Sequence, residues 1–191
     1  MKLNLGCGYK KKPGFVNVDI QMECEPDVIV NLEKVPWPFE NDSVEEVNME
    51  HLLEHIGAST DGHKAILQEL YRVCKTDATV RIVFPHPRSD TYLIDPTHVR
   101  PITVGTLYMY SKKKCQEYIE RESRTTPLAI YWDIDFEVKS RDVVLYPNWG
   151  QKYQNGEITI DDLQFAINSY NNVVSETEVI LEVIKDKSGD I

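Results

Sequence analysis

The first ninety residues are a succession of short apolar runs broken by glycine, proline and acidic residues, a pattern of strands joined by loops. Residues 2–5 read as a short strand that ends in Gly6-Cys7-Gly8. A turn-rich stretch from Tyr9 to Gly14 leads to a second strand over 15–20, where Phe15, Val16, Val18 and Ile20 are β-formers. Residues 27–31 hold a third short strand around Val28-Ile29-Val30, after which Pro36 and Pro38 enforce a loop. A fourth strand is expected over 44–49 and a short helical turn over 51–56. The cap-type residues of 59–62 then announce a change of period. From about His63 to Lys75 the apolar residues Ile66, Leu67, Leu70, Tyr71, Val73 and Cys74 fall on one broad helical face.

A fifth strand over 79–84 closes on Pro85-His86-Pro87, and residues 91–103, with two prolines, form a polar loop. The spacing predicts helix over 104–122, strands over 130–138 and 143–146, helix over 161–174 and a last strand over 178–185. Strands alternating with helices give an α/β layer fold. Neither a repeat nor an internal boundary is visible, so the chain reads as one domain over 1–191.

Composition narrows the possibilities. Over 191 residues, 31 acids against 21 bases leave a net charge of −10, which argues against a protein living on nucleic-acid backbone. A 41% apolar content excludes a wholly disordered chain, and no apolar run approaches the roughly 18 residues of a membrane span. No export signal is apparent, and Cys7, Cys24, Cys74 and Cys115 form neither a C-x-x-C pair nor a zinc spacing with the histidines. Reduced, structural thiols in a cytoplasmic protein are expected. The charge is unevenly placed: before Asp19 there are only lysines, Lys2 and Lys10 to Lys12, whereas 19–54 holds eleven acids and one base, Lys34. Lys10-Lys11-Lys12 and Lys112-Lys113-Lys114 read as solvated faces, since no aromatic residues interleave them.

The glycine turn after the first strand carries the candidate chemistry. Gly-x-Gly lets backbone approach a ligand with no Cβ in the way, although a tight structural turn reads the same. A dinucleotide fingerprint also needs a third glycine, a helix whose N-terminus holds the pyrophosphate and an acid about 20 residues on. Lys11 stands at the third-glycine spacing, only six residues separate Gly8 from Phe15, and Asp19 arrives eleven residues after Gly8. No full helix fits there. A parallel second strand is within reach of such a short connection, and a hairpin is the competing geometry. Without a helix dipole aimed at a phosphate, a nucleoside ligand suits the turn better than NAD or ATP.

At this point the residues carry a resemblance. Asn4-Leu5-Gly6-Cys7-Gly8 with Gly14-Phe15-Val16-Asn17-Val18-Asp19 resembles the cofactor region of the small class I S-adenosylmethionine-dependent methyltransferases. Residues 35–44, VPWPFENDSV, are similar to the loop before their fourth strand, His51-Leu52-Leu53-Glu54-His55-Ile56 to the element after it, and Glu69 to Lys75 to the helix leading into the fifth. The four blocks cover residues 1–87 in order. Asn4 stands where many members carry an acid, Thr76-Asp77-Ala78 replaces a Pro-Gly-Gly turn, and the first crossover helix is missing or shortened.

The resemblance implies a Rossmann-like three-layer methyltransferase fold, with a mostly parallel sheet of about seven strands and an antiparallel last strand. It implies a cofactor-binding half, 1–87, and a substrate-side, sheet-completing half, 88–191. S-Adenosyl-L-methionine is the implied cofactor. Gly6, Cys7, Gly8 and Tyr9 would meet its methionine part, Asp19 its ribose, and Ile20, Asn31 and Leu32 its adenine end. Met49, Glu50 and His51 would border the methionine tail and the methyl. Asn31 also reads as a plain turn residue at a strand end.

Methyl transfer needs a base only where the acceptor must first lose a proton. His51, His86 and His98 can titrate near neutrality, and His51 and His98 are the catalytic candidates. In Asp95-Pro96-Thr97-His98-Val99-Arg100, Asp95 could orient His98, and Arg100 could hold an anionic substrate; with His86 these residues form the candidate substrate side. Asp95 and His98, three apart, also invite a metal reading, but two ligands are too few and no metal is expected. His55 reads as a helix cap or packing residue. The expected activity is methylation of a small-molecule or sugar-containing acceptor. A non-catalytic module binding S-adenosylmethionine or S-adenosylhomocysteine for a partner is the alternative, and an NAD-linked enzyme is disfavoured by the absent helix.

Overall fold

Seven strands form one sheet in the order β3-β2-β1-β4-β5-β7-β6 in a computed structural model that describes residues 1–185. β1 (Lys2–Leu5) lies centrally between β2 (Val16–Asp19) and β4 (Val44–Glu50), parallel to both, with Asn4 opposite Asn17 on one side and Asn48 on the other. β3 (Val28–Ile29) and β5 (Cys74–Pro85) extend the parallel set outward. β7 (Val174–Val183) runs antiparallel between β5 and β6 (Phe136–Leu145). The hairpin alternative is therefore excluded: residues 6–15 carry the chain back to a parallel β2 without a helix. The chain winds outward from β1 in both directions, which leaves a crevice at the carboxyl ends of β1 and β4, where open α/β sheets bind ligands.

The two faces of the sheet differ. Leu3 and Leu5, Val47 and Met49, Val80 and Ile82, and Val179 and Leu181 point to one face and are buried with Ile66, Leu67, Leu70 and Val73 of α1 (Thr60–Val73). The other face carries a row of polar side chains across five strands. Asn4 Nδ2 donates to Asn17 Oδ1 at 2.9 Å, Asn48 Nδ2 to Asn4 Oδ1 at 2.8 Å, Arg81 Nη1 to Asn48 Oδ1 at 2.9 Å and Arg81 Nη2 to Glu178 Oε2 at 2.6 Å. Asn4, Asn17 and Asn48 are buried there against the 6–15 connection, Asn4 Nδ2 also donating to Lys10 O and Lys12 N to Asn17 Oδ1. Polar residues at alternate strand positions satisfy one another across the strands.

Several elements differ from the expected bounds for identifiable reasons. α1 starts at Thr60 because Ser59 caps it, its Oγ accepting from the Gly62 amide at 3.0 Å. Residues 51–56 form a turn rather than a helix, closed by His55 N donating to Leu52 O. A short helix, α2 (Asp90–Leu93), interrupts the loop of 91–103. The helix expected over 104–122 is two, α3 (Val104–Tyr108) and α4 (Lys112–Glu120), because Tyr110 turns into the core and Ser111 caps a new start.

The strand expected from 130 is preceded by α5 (Leu128–Trp132). Its β-forming Ile-Tyr-Trp run is overridden because Ala129 and Trp132, three apart, share a buried helical face. α6 (Pro147–Gln154), with proline in its first turn, was not signalled by apolar period. α7 (Ile160–Ser169) ends five residues before 174, and β7 starts there. No helix among the described residues is long and apolar enough to cross a membrane.

Candidate functional site

A cleft opens at the carboxyl ends of β1, β2 and β4. It has two lobes that meet at Gly6, of about 340 Å³ and 180 Å³. The larger is lined by Asn4, the turn of 6–10, Asn48, Glu50 and His51; the smaller by Asp19, Ile20, 30–33, Leu52 and Ile56. Gly6 and Gly8 both hold positive φ, +63° and +48°, and a Cβ on Gly6 would stand 2.7 Å from Leu52 Cδ1. The turn thus needs glycine at its first position for conformation and for the approach of the 51–56 segment.

Asp19 lies at the end of β2, and backbone amides brace its carboxylate. Gly8 N donates to Oδ2 at 2.8 Å and Gln21 N to Oδ1 at 3.0 Å. Each oxygen keeps a further lone pair for the smaller lobe, which suits paired hydroxyl donors. Ile20, largely exposed, and the buried Leu32 flank that lobe. Asn31 lines it too, but its Oδ1 accepts from Glu33 N at 2.9 Å, so the turn-residue reading describes its side-chain bond. Glu33, absent from the sequence expectations, also lines the lobe, and its Oε1 accepts from Gly57 N at 3.0 Å.

In the larger lobe Glu50 accepts from Lys10 Nζ at 2.8 Å, with Arg81 Nη1 at 3.5 Å. The Lys10 bond holds its carboxyl below the usual range, against partial burial and with help from Arg81. His51 sits at φ +51°. Its Nδ1 is 3.3 Å from Glu54 Oε1 and its Nε2 3.6 Å from Glu176 Oε1. The Glu54 carboxylate raises the imidazole above its ordinary value, against burial. Burial and then Asp19 push the Cys7 thiol up. Tyr9, 80% exposed, stands on the rim.

Other expected residues lie elsewhere. Met49 points into the core, 1% exposed, because the β4 alternation sends 48 and 50 to the cleft side and 49 away. His86 borders a separate cavity of about 590 Å³ with Phe84, Val104, Arg141, Gln164 and Thr177. Burial and the nearby Arg88 lower its pKa. Arg100 turns its Nη2 to the Gly57, Ala58 and Ser59 carbonyls, where it clamps the loop before α1. The Asp95 carboxylate accepts from Thr97 N at 2.8 Å and Thr97 Oγ1 at 2.6 Å, bonds that lower its pKa. Its Oδ2 is 4.0 Å from His98 Nε2. The His98 side chain is only 7% exposed and stacks on Tyr92, their ring centroids 4.9 Å apart.

Residues 6–15 contain no helix, so no helix N-terminus faces the glycine turn, and the Gly8 amide is occupied by Asp19. The donor set of a pyrophosphate site is missing, whereas a carboxylate, apolar flanks and a glycine cradle fit an adenosyl group joined to an amino-acid tail.

No protein-family model matches the chain, and no curated protein matches it. Solved structures do. An S-adenosylmethionine-dependent methyltransferase from Archaeoglobus fulgidus aligns over 95% of this chain and 85% of its own, with a TM-score of 0.60 and 17% identity. One from Methanosarcina mazei aligns over 97% and 92%, with a TM-score of 0.54 and 15% identity. A cyclase, SpnF, aligns over 97% and 75%, with a TM-score of 0.53 and 12% identity. At these identities the likeness is one of fold, and the cyclase illustrates that one fold hosts several chemistries. Strand order, the lone antiparallel strand and these alignments together give the chain the Rossmann-like fold of the class I S-adenosylmethionine-dependent methyltransferases.

Proposed function

We propose that this protein is an S-adenosylmethionine-dependent methyltransferase acting on a small-molecule or sugar-containing acceptor. The observation that carries the reading is the braced Asp19 carboxylate facing the smaller lobe, one turn away from a glycine cradle with no helix dipole behind it. Asp19 accepts the two ribose hydroxyls, Ile20 and Leu32 hold the adenine between apolar walls, and the backbone of 6–9 takes the amino-acid tail. When bound, the cofactor supplies an electrophilic methyl on a sulfonium. The residues of the cleft contribute alignment and exclusion of water. His51 borders the lobe that receives the reacting end, held in place by Glu54 and Glu176. The acceptor enters from the side of the 88–103 segment and the His86 cavity. Of the acid-rich stretch of 19–54, Asp19, Glu33 and Glu50 line the cleft and favour approach of a cofactor that carries net positive charge.

Calorimetry with S-adenosylmethionine, S-adenosylhomocysteine and NAD tests the reading. Both sulfur ligands should bind and NAD should not; NAD binding without either sulfur ligand overturns it. Asp19→Ala should weaken the sulfur ligands by about 1–3 kcal/mol, the cost of lost hydrogen bonds to a charged acceptor. Transfer of labelled methyl into a metabolite extract separates an enzyme from a binding module.

A further inference from the structure

Glu54 is the carboxylate neighbour of His51, but that pairing does not account for its complete burial. It is 0% exposed in the turn after β4, and neither carboxylate oxygen has a hydrogen-bond partner among the described residues. His51 Nδ1, 3.3 Å from Oε1, lies within ion-pair range but outside hydrogen-bond geometry. A carboxylate removed from water without donors is strongly unfavourable unless a cation compensates it.

Two imidazoles stand beside it. One donor atom each from Glu54, His55 and His98 lie within 4.8 Å of one another. Hydrogen bonds decide where the imidazole lone pairs are. His98 Nδ1 is 2.7 Å from the Tyr92 carbonyl oxygen, which only accepts, so in the neutral ring Nδ1 carries the proton and Nε2 the lone pair. His55 Nδ1 is 3.0 Å from Thr97 Oγ1, whose own proton goes to Asp95 Oδ1. Thr97 therefore accepts from His55, and the Nε2 lone pair of His55 is left available as well. A carbonyl behind one imidazole and a hydroxyl–carboxylate relay behind the other are the outer contacts that orient metal-bound histidines. The two segments are also tied by backbone, Val99 N donating to Glu54 O at 2.9 Å.

We propose that Glu54, His55 and His98 form a binding site for one divalent transition-metal ion of the zinc type. Two imidazoles and one carboxylate select such an ion over magnesium or calcium, which take oxygen sets. Bonds of about 2.1 Å place tetrahedral ligands roughly 3.4 Å apart, so donor atoms already within 4.8 Å of one another need only a small adjustment to hold the ion. Three protein ligands leave a coordination position open. The ion compensates the buried Glu54 charge and fixes the loop against the turn that borders the cleft.

The test uses the full chain, stripped with a chelator and titrated with zinc sulfate by calorimetry, with cobalt(II) as a spectroscopic substitute. One equivalent should bind, the melting temperature should rise with zinc, and bound cobalt should show visible ligand-field absorption. Glu54→Gln and His98→Ala, first checked for folding by circular dichroism, should each weaken zinc binding at least 100-fold. His55→Ala, at a half-buried position, serves if either fails to fold. His86→Ala, in the separate cavity, should bind as the unaltered chain does. Absence of a stoichiometric site, or affinity unchanged in the ligand variants, overturns the proposal. None of these three readouts involves S-adenosylmethionine, so this result and that of the cofactor calorimetry stand apart.

Discussion

Lowering the pH should unfold this protein partly through one residue, His63. Its side chain is 1% exposed in the first turn of α1, with Nε2 2.6 Å from Tyr110 Oη and Nδ1 without a partner among the described residues. The Trp132 ring lies 6.1 Å away. Burial, and then the positive charge of Arg100, lower its pKa from 6.5 to about 4. Because the folded value is below the unfolded one, the unfolded chain binds the proton first, and stability rises with pH. The contribution is fully present above about pH 6.5 and is lost as pH falls towards 4, about 3 kcal/mol in all. Between pH 7 and 5.5 the linkage amounts to about 1.2 kcal/mol. Carboxylates with lowered pKa, among them Glu69 and Asp27, add to acid unfolding, so the unaltered chain must be compared with His63→Gln. Urea unfolding followed by tryptophan fluorescence at both pH values gives the two free energies. The stability gap between the proteins should move by about 1.2 kcal/mol in favour of the variant at pH 5.5. A gap that does not change with pH would refute a buried neutral His63.

Gly57→Ala should be among the most damaging single substitutions outside the core. Gly57 holds φ +70°, and an added Cβ would stand 2.7 Å from the His63 Cα, a backbone atom that cannot rotate away. A loss of about 2–3 kcal/mol is expected by chemical denaturation, against about 1 kcal/mol for Gly156→Ala, where φ is +72° but nothing lies within 4 Å of a Cβ. The four cysteines are free and buried, and burial pushes the Cys74 thiol up to about 12. Labelling by a thiol reagent at pH 8 should therefore be slow for the native protein and should reach four equivalents in denaturant. Rapid labelling of Cys74 in the native state would contradict its place between α1 and β5.

The candidate cleft was largely legible in the sequence because it is built from local chemistry. A glycine pair after one strand and an acid at the end of the next meet whenever the two strands are parallel and adjacent, as β1 and β2 are. Residues placed by side-chain alternation were less legible. Met49 was grouped with Glu50 and His51, yet strand period two turns it into the core. Arg100 read as an anion holder, but its guanidinium meets three carbonyls brought to it by the turn before α1. Neither Glu33 nor Glu54 was singled out as a site residue. One lines the cleft, and the side chain of the other is buried without hydrogen bonds among the described residues, neither of which follows from local spacing.

The sequence alone predicted the fold class, the first five strands to within a few residues apart from the start of β5, the missing crossover helix and the place of Asp19 at the end of β2, because period, turn chemistry and spacing are short-range properties. Only the tertiary structure decided that β2 returns parallel, that Asn17, Asn4, Asn48, Arg81 and Glu178 form a row across one sheet face, and that α5 interrupts an apparent strand. It also joined Glu54 and His55 to His98, more than forty residues further along. Each of these depends on which strands become neighbours and which side chains lose water. Those are long-range outcomes of burying one continuous core, and no window of the sequence contains them.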